Sequence, residues 1–100
     1  MPDPTVQALI DAINKGDRTA FFALLTPDAT MSDDGTGRDL APWVDREIFS
    51  ANGRLTVTSE AADGCSLTAD YANDTWGTMR TAWRFTVTDG RISHFETGQA

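Results

Sequence analysis

Two adjacent carboxylates, Asp33 and Asp34, followed at once by Gly35, are the residues of this chain best placed to do chemistry. They close the stretch Pro27–Gly35. In it, proline and aspartate end a helix, and Ala29–Ser32 is a short β-compatible run. A strand that carries an acid at its far end, just after a helix pair, can set that acid at the mouth of a pocket. Asp33 is therefore the candidate catalytic residue, a proton carrier for a small organic substrate, with Asp34 or His94 assisting. A solvated carboxylate at a strand end explains the same residues without any chemistry.

The single histidine, His94, is the side-chain type suited to moving protons near neutral pH. Its i, i+2 spacing from Glu96 allows a pair on one strand face. No serine or cysteine nucleophile is tied to it by motif, and a surface or interface histidine is the plainer reading. One histidine and one cysteine leave no metal-ligand spacing, and no cofactor is expected. Cys65, at a strand start after Gly64 with no base in view, reads as structural.

Trp43, Trp76 and Trp83 are many for 100 residues. With Phe21, Met31, Phe85 and His94 they are the candidate contacts of a small apolar or aromatic ligand, since an aromatic pocket with a few polar groups suits a flat apolar molecule. Packing in a core or at an interface explains each ring taken alone. Asp45-Arg46-Glu47 could set Arg46 over a ligand acid, although ion pairing on a helix surface is the ordinary account. Arg80 and Arg84 share a strand face, and Asp70 is a candidate cross-strand partner for one of them.

The elements that must position these residues follow from spacing. Asp3-Pro4 starts a helix, and Val6, Leu9, Ile10 and Ile13 form its apolar stripe until Gly16 stops it. Asp17 caps a second helix that buries Phe21, Phe22, Leu24 and Leu25 and ends at Thr26-Pro27. After the loop Asp33–Gly37, Asp39 caps a third helix with Leu40, Trp43, Val44, Ile48 and Phe49 on its apolar face, ended by Asn52-Gly53. From Arg54 the period changes to two. Leu55–Ser59, Cys65–Tyr71, Met79–Thr88 and Arg91–Thr97 read as strands, with Asp63-Gly64 and Asp89-Gly90 as turns. In the last strand Ile92, His94 and Glu96 share a face opposite Ser93 and Phe95. Three helices grouped before a mainly antiparallel sheet mean an α+β domain spanning 1–100.

A chain of 100 residues has one core and little to spare, so a covering partner subunit, a homodimer, is expected. The net charge of −7, with no Lys/Arg cluster, repels phosphate backbones and anionic lipid heads, so neither nucleic acid nor membrane is an expected partner. The apolar runs are too short to span a bilayer, no charged-then-apolar leader opens the chain, and a reducing, cytoplasmic setting is expected.

In this order of elements the chain resembles the NTF2-like, or SnoaL-like, superfamily. The resemblance rests on the helix hairpin Ala8–Leu25 with its Asn14-Lys15-Gly16-Asp17 joint, the run Leu24–Thr30, and the meander closing on Asp89-Gly90-Arg91-Ile92. It implies a cone: a strongly curved sheet wrapped round the long helix, with a pocket at the open end and dimerisation through the sheet. The ketosteroid isomerases of that superfamily place a general-base aspartate after an Ala-Thr-x-x run, where Asp33 falls. Their oxyanion tyrosine aligns with Leu9 and their second acid near Thr81. One group of three survives, so steroid isomerisation is not expected. Three readings follow: a module binding a small apolar ligand in an aromatic-lined pocket, an acid–base enzyme of the isomerase, cyclase or hydratase kind using Asp33, or a structural dimer whose cone is filled.

Overall fold

The computed structural model describes residues 2–100. Helix α1 (Pro4–Lys15) begins where the sequence says it should. The Asp3 carboxylate accepts the Thr5 N–H at 2.8 Å, and Pro4 occupies the first turn, where its missing N–H costs nothing. It ends at Gly16, whose φ of 66° lies in the left-handed region a helix stop needs. Asp17 then caps α2 (Arg18–Ala23), accepting the Ala20 N–H at 3.0 Å. The α1 stripe of Val6, Leu9, Ile10 and Ile13 is buried.

Several expectations are corrected by the structure. The second helix stops at Ala23, so Leu25, read as its buried face, opens strand β1 (Leu25–Asp33) instead. Thr26-Pro27 lies inside that strand, where the ladder to its neighbour is interrupted between Leu25 and Thr30 and no N–H of Pro27 is required. The loop after Asp33 is a hairpin: Asp34 and Gly35 both take positive φ, 50° and 82°, and return the chain into β2 (Thr36–Arg38). Such a two-residue turn with positive φ at both positions matches the right-handed strand twist. The Asp39 side chain makes no capping bond to α3 (Leu40–Val44).

Helix α3 does not simply run on. It passes into one π-type turn, Asp45–Phe49, in which the Ser50 N–H reaches the Asp45 carbonyl five residues back at 2.8 Å. Positive φ falls on Asn52 (54°), and the chain leaves into β3 (Arg54–Glu60). Strands β4 (Ser66–Asn73), β5 (Gly77–Thr88) and β6 (Arg91–Gln99) complete a curved, mixed, six-stranded sheet in the order β2-β1-β6-β5-β4-β3. All neighbours are antiparallel except β1 and β6, which run parallel.

The last correction is a bulge. Thr86 pairs with His94 but Val87 pairs with Ile92, so Ser93 is an extra residue. Ile92 therefore turns inward with Phe95, away from the face of His94 and Glu96. One inserted residue reverses the alternation on one side of itself and bends the strand. On β5 the alternation holds throughout: Thr81, Trp83 and Phe85 are buried, and Arg80, Ala82 and Arg84 are exposed. Asp70 and Arg80 are directly opposite in register and bond at 3.0 Å, the cross-strand pair the sequence suggested.

Candidate functional site

A cavity of about 300 Å³ lies where five elements converge. The end of β1 supplies Asp33 and Asp34, α3 and its π turn supply Trp43 and Glu47, and β4 supplies Tyr71 and Asn73. Trp76 stands in the β4–β5 turn, Met79, Thr81 and Trp83 follow on β5, and the end of β6 closes the wall. Among the described residues, no Lys, Arg or His lines it.

The helical wall is fastened to the sheet through one backbone atom. Near the end of a helix, carbonyls lose their partners along the helix and must find others. The Glu47 carbonyl accepts from the Tyr71 hydroxyl at 2.6 Å and from Asn73 Nδ2 at 2.9 Å. Asn73 Oδ1 in turn accepts the N–H groups of Thr75 and Trp76, at 3.1 and 2.7 Å, so one side chain folds the turn and holds it against the helix. Gly53 permits this approach, because a Cβ there would run into the Tyr71 hydroxyl. Burial pushes the Tyr71 phenol up to about 12; Asn73 partly offsets this and the Glu47 charge adds to it. Tyr71 is thus a neutral donor at any ordinary pH, not a base.

The charged groups are unequal. Glu47 Oε2 accepts the indole N–H of Trp76 at 3.1 Å, and its other oxygen lies 3.6 Å from Arg46 Nε. Asp34 turns back on the sheet, accepting the Gln99 N–H at 3.0 Å. Asp33 is half-buried, and its carboxylate has no hydrogen-bond or ion-pair partner among the described residues. A carboxylate left without partners at a cavity wall is available to a ligand.

Of the residues singled out from sequence, Asp33, Trp43, Trp76 and Trp83 meet at this cavity. Trp43 and Trp83 are buried, whereas Trp76 is 64 % exposed and forms the rim. Phe21, Met31 and Phe85 lie in the packed core: Phe21 makes edge contacts with Phe22 and Phe49, and Phe85 stacks on Trp83 with ring centres 6.0 Å apart. His94 sits on the other face of the sheet, 2.7 Å from the Thr30 hydroxyl and paired in register with Thr86. Leu9 is core as well. Thr81 does line the cavity, but its hydroxyl donates to the Ala69 carbonyl at 2.9 Å and accepts the Trp83 indole N–H at 2.8 Å.

Glu47, Tyr71 and Asn73 went unremarked as site residues. The one tyrosine, on an alternating strand, carried a signal, since a buried phenol has to find an acceptor.

No family model matches the sequence, and no curated protein matches it. Solved structures do. A candidate polyketide cyclase from Sinorhizobium meliloti superposes with a TM-score of 0.77 at 23 % identity, over 95 % of this chain and 94 % of that one. A protein from Catenulispora acidiphila with a ketosteroid isomerase-like fold, in complex with trimethylamine, gives 0.75 at 20 % identity, over 97 % and 85 %. A second candidate polyketide cyclase, from Xanthomonas campestris, gives 0.71 at 20 % identity, over 96 % and 87 %. The chain therefore has the NTF2-like fold that its sequence resembles.

Proposed function

We propose that this protein is a small-molecule-binding module whose sheet and third helix form a cone, with the cavity between Trp43, Trp76 and Trp83 as its binding site. The observation that carries the reading is that a chain of 100 residues, with little core to spare, leaves about 300 Å³ open between three tryptophans. That volume is at the lower end of the range for ligand sites, so the ligand is small. The Trp43 ring nitrogen makes no hydrogen bond among the described residues and offers a donor to orient it. A homodimer in the cytoplasm belongs to the same reading, and sedimentation at micromolar concentration tests the dimer, expecting twice the chain mass of 10.8 kDa. The net charge of −7 argues against a nucleic-acid partner.

The direct test is calorimetric titration with a flat probe such as 2-naphthol. One-site binding that is lost in Trp43→Ala, with the fold retained, supports the reading; no heat at millimolar probe contradicts it.

One observation keeps an acid–base enzyme as a second reading: the half-buried Asp33 carboxylate is unpartnered at the cavity. The similar structures named as candidate polyketide cyclases point the same way. Against it, the Thr81 hydroxyl is already committed and Leu9 is buried in the core, so the donors that would stabilise an enolate, each worth about 2.7–4 kcal/mol of barrier, are not at those positions. Deuterium exchange into a ring ketone, catalysed by the protein and abolished by Asp33→Asn, would establish it.

A further inference from the structure

The binding reading leaves open what kind of small molecule the cavity takes, and the lining itself discriminates. Five of its side-chain donors are already spent inside the protein. Tyr71 and Asn73 donate to the Glu47 carbonyl, Trp76 to the Glu47 carboxylate, Thr81 to the Ala69 carbonyl and Trp83 to Thr81. Its carboxylates are not all spent in the same way. Asp33 has no partner among the described residues, whereas Glu47 lies 3.6 Å from Arg46 Nε and accepts the Trp76 indole N–H, and Asp34 accepts the Gln99 N–H. Among the described residues, no Lys, Arg or His lines the cavity to balance Asp33. An anionic ligand would meet the unpartnered Asp33 charge in a partly desolvated site, which is costly.

A cation would meet the opposite. Indole is the best of the aromatic rings at attracting positive charge, and rings arranged about a small volume are the usual means of holding a methylated ammonium group. Trp43 and Trp83 are fixed by burial, and Trp76, though exposed, is held at the rim by its bond to Glu47. The rings supply apolar surface for alkyl groups, and Asp33 supplies the counter-charge at one end of the same cavity. The molecule's net charge of −7 would draw a cation toward it from solution.

We propose that the ligand of this cavity is a small organic cation, an alkylated amine or quaternary ammonium compound held among Trp43, Trp76 and Trp83 with Asp33 as its counter-ion. This rests on the binding function proposed above and narrows it.

The test compares two molecules of the same shape, choline and 3,3-dimethylbutan-1-ol, which differ in whether the central atom is a charged nitrogen or a neutral carbon. Binding is followed by the indole N–H resonances of the three tryptophans in the intact chain. Choline is expected to bind about tenfold more tightly than the neutral isostere, the size of a desolvated cation–ring contact reinforced by one carboxylate. Asp33→Asn is expected to lower choline affinity by about fivefold and to leave the isostere within twofold. Two other results are informative. Equal or tighter binding of the isostere overturns the cation inference and leaves an apolar binding site standing. Absence of saturable shifts with either molecule, in protein whose spectrum shows it folded, overturns the cation inference, and the binding reading is then decided by the 2-naphthol titration.

Discussion

At the residue scale the account turns on Tyr71, whose hydroxyl joins β4 to the end of the third helix. Burial raises its pKa from 10 to about 12. The neutral phenol is therefore favoured by folding. Its contribution to stability is complete below pH 10 and is lost as pH rises from 10 toward 12, where the unfolded chain ionises first. With allowance for partial solvent screening the loss is on the order of 1–2 kcal/mol. The chain contains one tyrosine, so phenolate absorbance reports this group alone. A midpoint near 12 is expected, and one near 10 would mean that the phenol is not buried in solution.

The position of Asp33 was legible at this scale, since an acid closing a short β run falls at a strand end, and the structure places it at the cavity wall. The network that braces the site was not. Its acceptor is the main-chain carbonyl of Glu47, and a carbonyl has no letter in the sequence.

At the scale of elements, the sheet's edge strand β3 is secured by a side chain rather than by another strand. Asn14, near the end of α1, accepts the Leu55 N–H at 2.7 Å and donates to the Leu55 carbonyl at 2.9 Å. This bidentate clamp supplies both backbone groups of Leu55 on the side where the sheet ends. Asn14→Ala would leave a donor and an acceptor unsatisfied in a part-buried site, at a cost of about 1–3 kcal/mol. Chemical denaturation should show that loss, with faster amide exchange confined to β3 and its neighbours. An unchanged midpoint would show that water replaces the clamp without penalty.

Most elements could be read from period and turn chemistry, and the misreadings have one cause. Leu24 and Leu25 look alike locally, but Leu25 is claimed by a parallel pairing with Ile92, far along the chain. The bulge at Ser93 is set by how β6 fits β5, which no alternation within β6 can reveal. Strand β2 is three exposed residues long, too short to show a period, although Asp34-Gly35 was a legitimate hairpin signal.

For the whole molecule, the consequence of the fold is a division of aromatic labour. Phe21, Phe85 and Phe95 lie wholly in the core, Trp43 and Trp83 pack on that core and also line the cavity, and Trp76 stands at its rim. Met79 and Thr97 line that space, and a ring in place of Thr97 would narrow it. The account holds that the space is there to be occupied. The most direct measurement is a titration of isotopically labelled protein with 2-naphthol, following the three indole N–H resonances, each assigned by its Trp→Phe variant. Saturable shifts of Trp43 and Trp76, reduced at least severalfold in affinity by a Thr97→Trp change that puts a large ring into the cavity, are the expected result. Shifts spread evenly over the surface, or binding that a folded Thr97→Trp variant leaves untouched, would contradict it.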